Sequence, residues 1–427
     1  MTLRVVAALL FGVCVVACGQ PRPVSLQGDI CKSMATYGQL PVPWPDITPD
    51  ALKAEVEQEE RARRLGVAAG PPVLPLTDSG SSAFRAKIEA QAVGRQGPTR
   101  ILSVSAGGAW GAFSIGFLDG WGAGDPKQPP KFDIVTGVSA GAMIAPAIFL
   151  RDETLIAEVR TLYGSLTESK VYTVRSPVAL LNSPSLFDTA PLRAKLETLF
   201  TLSMVDTLAS ENDKRTLAVM ATNLDSGAPE VFDLTAIAAD CCLSKGERRE
   251  RIIAAIMAAS AMPIAFPPEF IDVPPKSDGK NMYVDGGVRL HVFFANEFKA
   301  ALVKPQLPPL DLTIVVSGDM AVTRDCVGLN GMGLLSITKR TAVVATDQLL
   351  RGSVKALLAV GALPGNQARM INARRLINYY GTATPPPGEG DCRLSDLLFD
   401  PVLEDCLVRG GLTMGRTQPV VWDIEVP

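Results

Sequence analysis

The sequence contains a single histidine, His291, among its 427 residues. Because histidine is the commonest metal ligand, this count excludes a cluster of histidines around a metal ion, and no cysteine spacing is typical of a zinc site. No acidic loop has the ligand spacing of a calcium site either. We therefore expect no metal site and no other cofactor.

The chain also lacks an excess of charge of either sign. Lys and Arg together number 41, Asp and Glu number 44, and the net charge is -3 at pH 7. Without a basic field the surface has little attraction for a phosphate backbone, so nucleic acid is not an expected partner. The hydrophobic fraction of 47% is ample for a large core in one α/β domain with extensions, or in two domains.

The first 17 residues predict an export signal and not a part of the fold. Arg4 supplies a positive charge, the apolar run over 5–16 is too short to span a bilayer, and small residues precede Cys18. The ending Val-Ala-Cys-Gly resembles the lipobox of bacterial lipoproteins, which implies a diacylglyceryl group on Cys18 and a protein anchored to a membrane of the bacterial cell envelope. A plain secretory signal with an incidental cysteine stays open. No later run reaches the roughly 18 apolar residues of a spanning helix.

Six cysteines follow Cys18, an even number for an exported chain. Up to three disulfides are therefore allowed, and the sequence leaves their pairing open. Only a short loop separates the last two, which makes them the first pair to test. In chain order the six are Cys31, Cys241, Cys242, Cys326, Cys392 and Cys406.

Residues 134–144 predict a nucleophile elbow, which is a tight turn that presents a serine between a strand and a helix. A buried strand ends near Val135, Gly137 and Gly141 bracket Ser139, and an apolar helical run follows. The glycines let the backbone bend and let a substrate approach. In a chain with 37 glycines this spacing also arises by chance, but the strand before it and the helix after it favour the functional interpretation.

A glycine-rich loop lies one strand-and-helix unit before Ser139. The predicted strand over 100–105 runs into Ala106, Gly107 and Gly108, and a helix follows. The backbone N–H groups of such a loop, with a helix N-terminus behind them, bind a phosphate or stabilise an oxyanion. Because Ala106 replaces the first glycine of a dinucleotide fingerprint, and no acidic residue stands on a following strand, an oxyanion hole is the better interpretation.

Alternating strands and helices along the chain predict an α/β fold with a mostly parallel sheet covered on both faces. We expect a signal peptide over 1–17, a tether and helical extension over 18–98, a catalytic domain over 99–320 and a mainly helical part over 321–427 that packs on the core. The last core strand is predicted over 312–317. Helices are predicted over 48–66, 83–92, 140–150, 155–163, 251–258, 337–358, 366–379 and 399–410.

Asp285 ends a further predicted strand in an Asp-Gly-Gly turn. In chain order, the glycine loop, Ser139 and Asp285, with the segments 221–224 and 259–263, resemble the patatin-like phospholipases, serine lipid acyl hydrolases that use a Ser-Asp dyad without a histidine. The resemblance covers about residues 100–292. It implies a three-layer α/β/α sandwich with a mostly parallel central sheet and hydrolysis of lipid or phospholipid esters. It also implies that Ser139 is the nucleophile, Asp285 its base, and Gly107 and Gly108 the oxyanion hole.

Two positions depart from the family pattern. Ala106 stands at the first of the usual glycines, and we expect its backbone N–H to remain on offer. Trp110 stands where Arg or Lys is usual, which removes a cation from the site. An indole offers a large apolar face, so we expect a preference for neutral esters or for acyl chains packed on Trp110. If Trp110 serves only in packing, the preference would be unaffected.

Two other functions stay open at this stage. The chain order Ser139, Asp285, His291 also fits a Ser-His-Asp esterase, although the histidine of that class normally lies on a separate later loop. A non-catalytic lipoprotein that binds lipid, or that scaffolds an envelope complex, is the other alternative. The presence of both Ser139 and Asp285 counts against it.

Overall fold

The computed structural model describes residues 41–42, 48–64, 78–124, 131–165, 167–176, 183–272, 280–293, 295–318, 320, 322–323, 334–378, 390–394 and 399–427. The predicted export signal, Cys18, Cys31 and Cys326 lie outside these residues. Within them, no helix combines the length and the apolar character needed to cross a membrane.

The described helices begin and end as follows. They are α1 (Pro49–Arg64), α2 (Asp78–Ala92), α3 (Gly111–Gly124), α4 (Ala140–Leu150), α5 (Glu153–Gly164), α6 (Glu168–Val171), α7 (Ala190–Leu199), α8 (Leu202–Glu211), α9 (Leu234–Ala239), α10 (Lys245–Ala259), α11 (Ala295–Leu302), α12 (Leu334–Gly361) and α13 (Pro401–Arg416).

The described strands are β1 (Pro41–Val42), β2 (Thr99–Val104), β3 (Ile134–Val138), β4 (Thr173–Val174), β5 (Phe187–Asp188), β6 (Thr216–Asn223), β7 (Pro229–Asp233), β8 (Glu269–Ile271), β9 (Asn281–Asp285), β10 (Leu310–Val316), β11 (Val322–Thr323), β12 (Gln367–Asn372), β13 (Ile377–Asn378), β14 (Cys392–Arg393) and β15 (Ile424–Val426).

A nine-stranded sheet forms the centre of the molecule, in the order β15-β12-β10-β2-β3-β6-β9-β8, with β7 also paired to β6. The five strands from β12 to β6 run parallel, and β15, β7, β9 and β8 are antiparallel to their neighbours. The carboxyl ends of β2 and β3 lie side by side. In parallel sheets this edge is where sites form, so the glycine loop and the elbow are brought to one place.

Alternate side chains of the central strands enter two separate hydrophobic clusters. Leu102 joins the cluster built with α3, α4, α5, α10 and α13, whereas Ile101 joins the cluster built with α1, α2, α11 and α12. Because successive side chains of a strand point to opposite faces, the two clusters lie on the two faces of the sheet. This arrangement of helices, sheet and helices confirms the predicted three-layer α/β/α sandwich with a mostly parallel sheet.

The prediction of a helix over 366–379 is wrong. Strand β12 occupies this segment and pairs parallel with β10 along its whole length, with Thr313 opposite Arg369, while β15 covers its other edge. The prediction of residues 312–317 as the last core strand is wrong for the same reason. Local propensity does not oppose a helix here, but pairing with β10 completes the sheet, and this tertiary gain decides the conformation.

The final helix, α13, continues to Arg416, whereas the sequence predicted its end near Gly410. The helix α2 begins at Asp78, earlier than predicted. Cys392 and Cys406 form a disulfide that joins β14 to α13, which confirms the pair singled out from the sequence. Cys241 and Cys242 are free and exposed. The division at residue 320 stays a prediction, since strands from both sides of it share the central sheet.

Candidate active site

Ser139 lies in a sharp turn between β3 and α4. Its backbone has φ 53° and ψ -119°, a conformation that residues other than glycine rarely adopt. The Ser139 N–H donates to the Ala259 carbonyl at 3.0 Å, and the Ser139 carbonyl accepts from the Ala142 N–H at 2.8 Å. Such strain persists only where the surrounding structure holds it, and it is typical of a residue that acts in a site.

Steric contacts explain why glycine stands on both sides of Ser139. A Cβ atom on Gly137 would overlap the carbonyl group of Gly141, and a Cβ atom on Gly141 would overlap the carbonyl oxygen of Val104. The helix that follows the elbow therefore packs directly on the backbones of β3 and β2. This contact explains why the pattern needs glycine on both sides of the serine.

Asp285 lies at the end of β9, where its carboxylate is almost fully buried, with 6% of its surface exposed. Its Oδ1 accepts a hydrogen bond from the Gly287 N–H at 2.7 Å. Burial raises the pKa of Asp285 to about 6, and hydrogen bonds from the Ser139 side chain and the Gly287 N–H moderate the rise. A carboxylate with this pKa, bonded to a serine hydroxyl, is ionised at neutral pH and is a stronger base than an exposed aspartate.

The segment 259–261 connects the two residues of this pair. Ala259 accepts from the Ser139 N–H, and the Ala261 carbonyl accepts from the Asp285 N–H at 2.9 Å. The Ser260 hydroxyl donates to the Ser139 carbonyl at 3.1 Å. The sequence included this segment in the family resemblance but gave no sign of its structural role, which is to fix the nucleophile and the carboxylate relative to each other.

The glycine loop places unused donors beside Ser139. Gly108 has φ 55° and lines the same cavity as Ser139, and a Cβ atom on Gly107 would overlap the carbonyl oxygen of Ser317. Within the described residues, neither Gly107 nor Gly108 donates its backbone N–H to a protein acceptor. Free N–H groups in such a turn suit an oxyanion.

Ala106 differs from the expectation. Its N–H donates to the carbonyl oxygen of His291 at 2.9 Å and is therefore already engaged. The expectation that Ala106 remains on offer as an oxyanion donor is wrong, because the chain after Asp285 passes close to the start of the loop. Gly107 and Gly108 therefore remain as the predicted donors of the oxyanion hole.

His291 is buried, with 6% of its surface exposed, and burial lowers its pKa to about 4. In the described part of the chain, neither ring nitrogen has a hydrogen-bond partner. Asp285 is bonded to Gly287 and Ser139 instead. The three side chains of a Ser-His-Asp triad are thus not joined. Among the same residues, no group of three or more His, Cys, Asp or Glu is placed to hold a metal ion.

The model of the patatin-like phospholipase family matches residues 102–295. These residues form a patatin-like phospholipase domain. The crystal structure of VipD from Legionella pneumophila is similar over 58% of this chain and 53% of that chain, with 14% sequence identity and a TM-score of 0.33. The chain thus spans about half the length of VipD. No curated protein matches the chain. The family supports lipid ester hydrolysis as the general activity of the domain.

A cavity of the patatin-like domain opens beside Ser139, and its empty space, including the part open to solvent, is about 460 Å³. Most of its lining is aliphatic or aromatic, as expected where an acyl chain binds. Its lining residues are Gly108, Ser139, Ala140, Met143, Leu162, Tyr163, Lys170, Val171, Leu192, Ser260, Phe266 and Phe399.

Trp110 is not among the residues that line this cavity. Its side chain is half-buried and packs against the larger hydrophobic cluster. The expectation that substrate packs on Trp110 therefore finds no support, and its alternative, a role in packing, fits the contacts. A different residue, Lys170, places a cation at the cavity, and the sequence analysis missed it. The Lys170 ammonium donates a hydrogen bond to the Ser165 carbonyl at 2.7 Å. No motif marks this lysine, since it lies on the four-residue helix α6.

Proposed function

We propose that this protein is a serine ester hydrolase that cleaves the acyl esters of lipids through a Ser139–Asp285 dyad and an acyl-enzyme. The observation that carries the proposal is the strained Ser139, hydrogen-bonded to a buried carboxylate whose pKa is about 6, at the wall of an apolar cavity. Each of these features is useful for acyl transfer, and the packing of a hydrophobic core requires none of them.

In the first step Ser139 Oγ attacks the carbonyl carbon of the ester while Asp285 takes the hydroxyl proton. The carbonyl oxygen becomes an oxyanion, to which Gly107 and Gly108 donate their N–H groups. One such donor in a preorganised site is worth roughly 2.7 to 4 kcal/mol. The donors are oriented before substrate arrives, so little reorganisation opposes the reaction.

In the second step the tetrahedral intermediate collapses, and Asp285 returns the proton to the alcohol, which leaves. The acyl group is then held on Ser139 Oγ as an ester. A water molecule gives a proton to Asp285 and attacks the acyl carbonyl carbon, the Ser139 Oγ–acyl bond breaks, and Oγ recovers the proton. One carboxylate thus acts as base and acid in both halves, and no histidine is required.

Variants of the dyad test the proposal with a chromogenic short-chain ester. We expect Ser139→Ala and Asp285→Asn each to lower kcat/KM by about a thousandfold or more, and the double variant to be little worse than either, because the two residues act as a unit. Ser210→Ala and Asp213→Asn change an exposed serine and an exposed aspartate and are the matched controls. Wild-type turnover by folded Ser139→Ala would contradict the proposal. No turnover by the folded wild type would favour a non-catalytic lipoprotein.

His291→Ala separates the dyad from a triad. We expect this variant to keep most of its kcat/KM, provided that circular dichroism shows a folded protein, since the His291 side chain bonds to neither dyad residue. A folded but inactive His291→Ala protein would assign the role of base to the histidine. The lipid itself is then identified by comparing lipid extracts of membranes exposed to the wild type and to Ser139→Ala.

We also propose that a lipid on Cys18 anchors the protein to a membrane of the cell envelope. The support is the lipobox-like ending at residues 16–19. Each buried methylene of an acyl chain contributes about 0.8 kcal/mol, so several chains on one cysteine hold a protein at a membrane. Cys18→Ser should lose the lipid mass and either leave the membrane fraction or accumulate unprocessed. Membrane fractionation with an unchanged mature mass would contradict the anchor.

A further inference from the structure

Four aromatic rings cluster beside the cavity. Tyr172 stacks on Phe187 with ring centroids 3.9 Å apart, and it also contacts Phe266 at 6.0 Å and Phe399 at 6.2 Å. Phe266 and Phe399 line the cavity, so this cluster contributes two rings to its wall. The rings stand just before β4, in β5, in the loop after α10 and just before α13, and their contacts hold these segments together.

Each of these segments also presents an aliphatic side chain to solvent. These side chains, named here the rim patch, are Leu186 (43% exposed), Ile264 (71%), Val174 (73%) and Val402 (78%). Leu186 donates its N–H to the Ile264 carbonyl at 2.9 Å, and its own carbonyl accepts from the Arg175 N–H at 3.2 Å. Val174 pairs with Phe187, the residue after Leu186, and Val402 follows Phe399 by three residues, so the four side chains stand on the segments that carry the aromatic rings. A single surface leucine or valine would need no explanation, whereas four on these segments do.

The backbone at Ile264 is strained in a way that keeps this side chain outside. Its φ is 71°, in the left-handed region that β-branched residues avoid. Hydrogen bonds on the carbonyls of Ile264 and Ala265, from the N–H groups of Leu186 and Phe187, hold the turn. A residue suited to a core is thus fixed in a conformation that turns it to solvent, which points to a binding role.

Lys170 adds a positive charge to the apolar surface. It lies next to Val171, which lines the cavity, and its side chain is exposed. Its hydrogen bonds go to the neutral oxygens of Ser165, and in the part of the chain that the structure describes no carboxylate forms an ion pair with it. An exposed aliphatic group beside an uncompensated ammonium fits a partner with an apolar interior and an anionic surface.

We propose that the rim patch and Lys170 dock the protein on a bilayer that contains anionic lipids, with the four aliphatic side chains inserted among the acyl chains. The inference rests on the proposed function, because the cavity then opens onto the bilayer. A lipid acyl chain passes from the membrane to Ser139 without crossing water, and the apolar cavity wall continues the apolar surface of the rim. The anchor on Cys18 keeps the protein near the membrane, whereas the rim patch sets its orientation.

The first test compares a soluble ester with a membrane substrate. The variant Val174→Thr/Ile264→Asn/Val402→Asp removes apolar surface with residues that suit a strand, a left-handed turn and a first helical turn, respectively. On vesicles of phosphatidylcholine and phosphatidylglycerol we expect its rate to fall about tenfold or more through lost apolar burial, while kcat/KM on the soluble ester stays within about twofold. A wild-type ratio of the two rates would overturn the proposal.

The matched control, Val421→Thr/Val93→Asn/Leu202→Asp, changes three exposed aliphatic residues on other segments, namely the chain before β15, the loop after α2 and the start of α8. This control should keep the wild-type ratio of vesicle to soluble-ester rates. An equal loss in the control would show that any exposed aliphatic residue matters, and would overturn the assignment to the rim. Lys170→Met should lower the ratio of rates on anionic over neutral vesicles, and added salt should lower that ratio for the wild type as well. If neither Lys170→Met nor added salt changes the ratio of rates on anionic over neutral vesicles, the proposed preference for an anionic surface is wrong.

The second test is independent of activity. Ser139→Ala protein is mixed with vesicles that contain a phospholipid with a diazirine on its acyl chain, and crosslinks formed on illumination are mapped by mass spectrometry. We expect crosslinks in the segments 170–176, 183–187, 263–266 and 399–402. Crosslinks found only elsewhere in the chain would overturn the docking surface even if the enzyme proves to be an ester hydrolase. If the wild type hydrolyses no ester, the proposed function fails, and crosslinks at the rim still decide how the protein binds a membrane.

Discussion

Asp285 must be charged to act as a base, yet it lies where charge is costly. Burial raises its pKa to about 6, so the basic form dominates only above that pH. We expect kcat/KM for a soluble ester to rise through about pH 6 and then to level off, because this parameter reports the pKa of the free enzyme's base. If His291 were the base, the rise would lie near pH 4, where burial places its pKa. A pH profile of kcat/KM on wild type distinguishes the two residues.

The same burial predicts an effect on stability. The pKa of Asp285 rises from 3.8 to about 6 on folding, so the folded state binds the proton more tightly. Its stabilising contribution is fully present below pH 3.8 and is lost as the pH rises through 6. At pH 7.5 the ionised group therefore lowers the free energy of unfolding by on the order of 3 kcal/mol.

Asp285→Asn should consequently be inactive but more stable than wild type at pH 7.5, with the gain fading as the pH approaches 4. Denaturant unfolding of both proteins at the two pH values measures the difference. Asp213→Asn, an exposed site, should show no such dependence. A loss of stability in Asp285→Asn of equal size at both pH values would contradict the origin of the raised pKa in burial.

At the scale of residues, sequence reasoning found those that a local pattern marks. Ser139 and Asp285 stand in short glycine-flanked turns, and the structure brings the two together as the family pattern implies. The role of Ala106 was misjudged because it depends on a contact with a segment that is distant in sequence. Lys170 was missed because its role depends on a cavity, which only the folded chain forms. The His291 carbonyl that occupies the Ala106 N–H leaves no mark on the sequence around residue 106.

Among the elements, α3 and α13 pack closest to each other, through glycines. A Cβ atom on Gly116 or Gly120 of α3 would overlap the α13 backbone at Val408 or Leu412. In return, Gly411 and Gly415 of α13 lie against the carbonyl oxygens of Phe113 and Phe117. The glycines are spaced four apart on each helix and thus lie on one face. This contact explains why α13 continues through glycines at which the sequence predicted its end.

Gly120→Ala tests this interface. The added methyl group meets backbone that has no rotamer to move, so we expect the free energy of unfolding to fall by about 1 to 3 kcal/mol, as in other overpacked cores. Gly352→Ala is the control, because Gly352 lies inside helix α12 with open space around it. Alanine there should stabilise by up to about 1 kcal/mol through helix propensity. Denaturant unfolding of the two variants should therefore shift in opposite directions, and equal shifts would contradict the close contact.

The elements that the sequence predicted well are those whose own pattern is strong. Helix α4 has the predicted bounds, and its apolar character on every side matches its buried position. Strand β12 was assigned wrongly, as part of a helix over 366–379, because its six residues carry no clear alternation of apolar and polar side chains. Its conformation is decided by β10 and β15, which are its neighbours in space and not in sequence.

At the scale of the whole molecule, the patatin-like domain is one part of a larger sheet. The family match ends at residue 295, but β10, β12 and β15 extend the sheet to Val426, near the end of the chain. Strand β10 pairs directly with β2, the strand that leads into the glycine loop. The site therefore depends on chain far beyond the matched segment, and the disulfide between Cys392 and Cys406 fixes part of that chain.

A buried carboxylate bonded to its hydroxyl should make Ser139 an activated nucleophile. Incubation with an alkyl fluorophosphonate, followed by mass spectrometry of peptides, tests this activation most directly, because the reagent captures a serine that a base has activated. We expect one adduct, on Ser139, formed much more slowly in Asp285→Asn and absent in Ser139→Ala. An adduct on another residue in folded wild type, or labelling of Ser139→Ala at the wild-type rate, would contradict it.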